Sequence, residues 1–212
     1  MKNITHIAPN KAFKSDSQRL AFSLRSSIAK RRSHLNAALC FSEEFMLLFP
    51  KLQVISSPDD DILQRLTSII EALPCQSYFA DHLTKSQVEQ RKIVSAFQKE
   101  LYQELFVEFA GVTWSREFSP CSTSSDAIDI YGDNEDFVVA IELDKHRADQ
   151  VAKKFVSRMA IMPDKKIYYV SLCYPGTKSM SKPECIKYFG YCSNLALRMQ
   201  NEYLGLMVEE QT

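Results

Sequence analysis

The sequence predicts a mixed α/β fold in which a central mixed sheet is flanked by helices and preceded by a helical N-terminal region. Three observations carry that expectation. Ile93, Phe97, Leu101, Leu105 and Phe109 recur at every fourth position, as one buried face of a long helix requires. Short alternating or β-branched runs follow at 112–118, 126–131 and 137–145 and read as strands. A helical segment at 147–159 then leads into a strand run at 166–174, so the order from residue 85 is α-β-β-β-α-β.

Taken in order, residues 16–34 pattern as a helix, with Leu20, Phe22, Leu24 and Ile28 apolar and Asp16 or Ser17 at the N-cap. A second apolar segment runs from Leu35 to Phe49 and ends at Pro50. Ser56-Ser57-Pro58-Asp59-Asp60-Asp61 marks a turn and a helix start, since Pro and acidic residues suit a first helical turn. Ile62, Leu66, Ile69, Ile70 and Leu73 supply that helix's apolar stripe and Pro74 closes it. The long helix covers about 85–109, with Gly111 as its stop, and a closing helix is expected over 183–207. The organisation expected is a helical N-terminal region, 1–84, and an α/β core, 85–212.

A chain of 212 residues with 45% hydrophobic and 25% charged residues can bury a core without disulfides. No apolar run approaches the roughly 18 residues that span a bilayer, and the N-terminus lacks a signal-peptide apolar stretch, so a cytoplasmic protein without membrane contact is expected. The six cysteines form no CxxC pair and read as reduced thiols. Net charge is zero, yet residues 1–40 carry eight Lys and Arg against Asp16 alone. That block either meets a polyanion or forms a solvated helix face.

The hairpin formed by Asp126–Tyr131 and Phe137–Lys145 holds three carboxylates among apolar residues: Asp129, Glu142 and Asp144. Alternation puts Glu142 and Asp144 on one strand face and Ile141, Leu143 and Lys145 on the other. Carboxylates are rarely buried without compensation, and three that converge suit a hard divalent ion such as Mg²⁺. The alternative is ion pairing with Arg147, Lys145 or Arg116 on a solvated sheet face. Neither a Gly-rich phosphate loop nor a nucleophile elbow is present, and His146 beside the strand end reads as a general base or as structural.

The long helix, the three strands with one acid in the second and a pair in the third, the basic helix and the final strand together resemble the PD-(D/E)xK, restriction-endonuclease-like nucleases over about residues 85–175. The resemblance implies a restriction-endonuclease-like core and metal-dependent hydrolysis of DNA phosphodiesters, by an endonuclease of restriction type using Mg²⁺ or Mn²⁺. Asp129 is then the first acid and Glu142 the second, with Asp129, Glu142 and Asp144 as metal ligands. Asp144 stands where Lys is usual, so the pattern reads D…ExD and leaves open what orients the attacking water. The resemblance also implies a helix acid, Glu104 or Glu100, with Glu104 preferred. Arg147, Gln150, Lys153, Lys154 and Arg158 would meet the phosphate backbone, the main source of nucleic-acid affinity. Cleavage of both strands would suit a homodimer. The alternative is a nuclease fold without catalysis that binds nucleic acid or a protein partner.

Overall fold

The computed structural model describes residues 47–120, 127–145, 147–177 and 181–210. The helix expected over 16–34, the Cys121–Asp126 stretch and His146 lie outside the described residues. Among the described residues the elements are β1 (Leu48–Ile55), α1 (Asp61–Glu71), α2 (Gln76–Phe79), a 3₁₀ turn (His82–Thr84), α3 (Gln87–Glu108), β2 (Thr113–Phe118), β3 (Ile128–Asp133), β4 (Phe137–Lys145), α4 (Ala148–Met159), β5 (Lys166–Tyr174), α5 (Lys182–Arg198) and β6 (Glu202–Glu210). The α-β-β-β-α-β order expected from residue 85 is the order observed, α3-β2-β3-β4-α4-β5.

The long helix α3 follows from its sequence. Ser86 and Glu89 form a reciprocal capping box at its start, and its every-fourth apolar stripe places Phe97, Leu101, Leu105 and Phe109 in the core. At the far end Gly111 adopts φ 84°, a conformation glycine takes without penalty. Helix α1 is capped by the Asp60 side chain, which accepts from the N–H groups of Ile62 and Leu63.

The sheet has six strands in the order β1-β6-β5-β4-β3-β2. β2, β3 and β4 form an antiparallel meander, while β4-β5 and β5-β6 are parallel and β1 closes antiparallel on β6. One face packs on α1, α2 and α3 through Ile130, Ile141, Leu143, Val170 and Leu204. The other packs on α4 and α5 through Ala140, Val151, Phe155, Tyr169 and Phe189. The two helical layers therefore reach β4 from opposite sides.

Two expectations about the chain's flanks are corrected. The run ending at Pro50 is not terminated there: β1 passes through it, with Pro50 paired to Val208. Proline is tolerated because β1 is an edge strand with a ladder on one side only. The closing helix expected over 183–207 stops at Arg198, and residues from Glu202 onward are β6. Gln200 takes φ 60°, its N–H bonds the Leu197 carbonyl, and the Asn201 N–H bonds the Ala196 carbonyl, the pattern of a Schellman cap. β6 misleads a periodicity reading because it is buried on both faces, and such a strand gives a continuous apolar run that a helix can also give. The compact unit containing the sheet begins at Met46, so β1, α1 and α2, grouped with the N-terminal region at 1–84 from the sequence, belong to it.

Candidate functional site

Residues from β3 and β4 bring the three acids of the hairpin together. Ile130 pairs with Ile141 across the two strands, and extending that register by one residue sets Asp129 beside Glu142. The Leu143 N–H donates to Asp129 Oδ2 at 2.7 Å, tying the first acid to the backbone of the strand that carries the other two. Glu142 and Asp144 share the face toward α4, while Lys145 turns to the opposite face and donates to Gln90 Oε1 at 2.9 Å. Lys145 thus takes the side that alternation along the strand requires.

At the centre of the acids is the ammonium of Lys154, from α4. Lys154 Nζ lies 2.8 Å from Glu142 Oε2, 3.1 Å from Asp144 Oδ1 and 3.7 Å from Asp129 Oδ2. Arg158 follows one turn later and its Nε donates to Glu142 Oε1 at 2.7 Å, while its Nη2 donates to the Ala127 carbonyl at 2.9 Å. Residues four apart lie on one helix face, so Val151, Phe155 and Met159 anchor α4 in the core while Lys154 and Arg158, next to that stripe, reach the sheet. Glu142 is 1% exposed and both its oxygens are held by cations, the compensation a buried carboxylate needs.

Burial and the neighbouring Glu142 push the Asp129 carboxyl up to about 7. Asp144 is also raised, by burial foremost, with Lys154 opposing. Burial acts to lower the Lys154 ammonium, but Asp144, Glu142 and Asp129 outweigh it and hold the lysine above its usual value. Three carboxylates facing two cations carry a single surplus negative charge, which one proton on Asp129 would remove.

On its other side Asp129 lines an open cleft of about 380 Å³ that also borders Gln90, Arg91, Gln98, Glu117, Lys145 and Tyr174. Gln98, 4% exposed, spans it at the base: its Nε2 donates to the Asp129 carbonyl at 2.5 Å and to Glu117 Oε1 at 2.9 Å. Glu117 has φ 52°, the left-handed region that a residue with a β-carbon rarely enters. The ladder between β2 and β3 runs through Arg116–Ile130 and Phe118–Ile128 and skips the pair between them, Glu117 and Asp129. The sequence did not single out Glu117; its place opposite Asp129 is set by a strand register that a single segment does not reveal.

Several expected site residues lie elsewhere. Glu104 is exposed on α3 and lines neither the cluster nor the cleft. It is six residues beyond Gln98, about 9 Å further along the axis and rotated away. The geometric cause is chain direction: α3 leads into the start of β2, whereas the acids sit where β2 and β4 end, so the N-terminal half of the helix faces them. Glu100 accepts a hydrogen bond from the Tyr78 hydroxyl instead. Lys154 and Arg158, expected on a phosphate-contacting surface, are drawn into the acid cluster. Arg147 and Lys153 both pair with Asp149, at 3.1 and 3.7 Å, and Gln150 donates to the same carboxylate at 3.2 Å.

Among the described residues no group of three or more His, Cys, Asp or Glu side chains is arranged to hold a metal ion; the cation the three acids share is the lysine ammonium. No described helix is long and apolar enough to cross a membrane. No family model, curated protein or solved structure matches the chain.

Proposed function

We propose that the chain is a metal-dependent phosphodiesterase acting on DNA, an endonuclease of restriction type with a PD-(D/E)xK-like core. The observation that carries this reading is the convergence of Asp129, Glu142 and Asp144 on one cationic point beside an open cleft. Further support comes from the antiparallel meander, the following basic helix and the parallel fifth strand, which agree with the order the resemblance implies.

In this reading the acids divide their work. Glu142, with both oxygens engaged, anchors Lys154 and Arg158 against the sheet. Asp129 and Asp144 are the ligands left for Mg²⁺ or Mn²⁺, and Mg²⁺ needs only one or two carboxylates when phosphate and water complete its shell. A bound divalent ion would supply Lewis-acid polarisation of the phosphoryl oxygen and a more acidic water. Lys154 covers, from the helix, the role left open by Asp144 in the strand: its ammonium stands 3.1 Å from Asp144, where it can orient the attacking water and offset developing negative charge. Burial and Glu142 favour the protonated form of Asp129, whereas a cation binds only the ionised form, so Mg²⁺ or Mn²⁺ binding should weaken as pH falls. Two copies acting together would cut both strands.

The test is nicking of supercoiled plasmid in Mg²⁺ or Mn²⁺ by the intact chain and by Asp129→Asn and Asp144→Asn. Each substitution should lower the rate at least about a hundredfold, on the scale of losing a positioned electrostatic group. Nicking by the variants at the parental rate overturns the site assignment. A second reading, a nuclease fold serving as a binding module, is favoured by one observation: Lys154 and Arg158 already neutralise most of the acid cluster. It requires no heat of Mn²⁺ binding in calorimetry together with salt-sensitive DNA association.

A further inference from the structure

We infer that a nucleic-acid backbone reaches this site along the N-terminal half of α3, between Arg91 and Lys145, and not across the outer face of α4. The inference rests on the nucleic-acid reading above and adds the path the polyanion takes.

Lys and Arg side chains with unopposed charge are what draw a polyanion to a protein surface. Of the four on α4 and its N-cap, Lys154 and Arg158 are engaged by Glu142, and Arg147 and Lys153 share Asp149. A phosphate arriving on that face meets charge already opposed by carboxylate, and electrostatic attraction there is correspondingly weak. The α3 side is built otherwise. Arg91 on α3 and Lys145 at the end of β4 both line the cleft that Asp129 borders. Lys145 is held by a neutral partner, the Gln90 amide oxygen, so its charge is not cancelled by that contact.

The remaining lining suits a backbone of phosphates and sugars. Gln87, Gln90 and Ser95 add uncharged polar groups along α3, able to hydrogen-bond phosphate and sugar oxygens without fixing sequence. Glu117 and Asp129, bridged by Gln98, bring the cleft's carboxylates together. A strand held by Arg91 and Lys145 would therefore bring a phosphate into the cleft that Asp129 borders.

The experiment separates path from activity. Binding of a short fluorescein-labelled DNA duplex is followed by anisotropy in chelator, over a range of salt, for the intact chain, Arg91→Glu, Lys145→Ala and Lys153→Ala. Arg91→Glu and Lys145→Ala should each weaken binding about tenfold and reduce the slope of log affinity against log salt by about one; Lys153→Ala should leave both unchanged. Salt-sensitive binding that Arg91→Glu and Lys145→Ala leave intact, or that Lys153→Ala weakens more, overturns the path alone. Absence of binding by the intact chain overturns the path and the nucleic-acid reading together. Binding that follows the expected pattern without any nicking retains the path and removes only the catalytic claim.

Discussion

Asp129 stands between two regions that handle charge in opposite ways. Toward α4 it joins Glu142, Asp144, Lys154 and Arg158, where Glu142 is 1% and the Arg158 side chain 7% exposed and each charge meets a counter-charge within 4 Å. Toward α3 it borders an open cleft lined by Arg91 and Lys145 together with Gln87, Gln90, Gln98 and Glu117. The first arrangement fixes geometry and proton affinity; the second leaves charge available to a ligand. The same residue types are thus structural on one side of a strand and accessible on the other, and what decides between them is burial and the identity of the partner.

The largest effect is expected from removing the acid that holds the α4 side together. Glu142→Ala strips the nearly buried Arg158 and Lys154 of their shortest contacts. Deleting one partner of a buried ion pair costs about 3–5 kcal/mol, because the other charge stays desolvated. Glu117→Ala, on the cleft side, removes an exposed carboxylate and should cost less than about 1 kcal/mol. Urea denaturation of both variants measures the difference; equal losses would show that the two sides are not distinct in the way described.

An effect that depends on pH, and is no larger, comes from Asp129 itself. Its carboxyl titrates at about 7 in the folded chain against an ordinary 3.8, so the folded state binds that proton more tightly than the unfolded one. The stabilisation is fully present below the unfolded value and is lost as pH rises through the folded value. Stability should therefore fall between about pH 4 and pH 7, by at most about 4 kcal/mol for a shift of this size. Asp144, also raised, contributes with the same sign. Asp129→Asn keeps an acceptor for the Leu143 N–H and should flatten most of the slope, leaving the Asp144 share. An unaltered pH dependence of the unfolding midpoint in that variant would separate the titration from Asp129.

What the sequence made legible was local. Glu142 and Asp144 share a face because they are two apart in one strand, and Asp129 is near them because a hairpin joins the strands. The stripe from Phe97 to Phe109 and the strand Lys166–Tyr174 declare themselves by periodicity and composition. Contributions set by chain direction or by register were not legible. Glu104 looked closer to the strands because it is closer in sequence, yet α3 runs back past the site and offers Gln90 and Gln98. Lys154 and Arg158 looked like surface cations, although their spacing from Val151 and Phe155 places them beside the buried stripe. β1 was missed because Pro50 reads as a stop, although Lys51-Leu52-Gln53-Val54 alternates beyond it, and β6 because a doubly buried strand lacks alternation.

The finest test of the comparison is the residue that ties the cleft to the acids. Gln98 donates to the Asp129 carbonyl and to the Glu117 carboxylate, and Met is close to it in length without a donor. Gln98→Met leaves a carbonyl without that donor, at a cost of about 1–2 kcal/mol. It also removes what holds Glu117 at φ 52°, a conformation costing of order 1–3 kcal/mol and kept only where the surroundings enforce it. Part of the lost hydrogen bonding is therefore returned as released strain, so the measured destabilisation should fall at the low end of that range. Amide exchange at Glu117 and Asp129 should change as the skipped pair between β2 and β3 closes, while exchange on α4 stays as it was. Unchanged exchange at Glu117 would mean that the strand itself, not Gln98, sets the bend, and the cleft would then owe its shape to β2 alone.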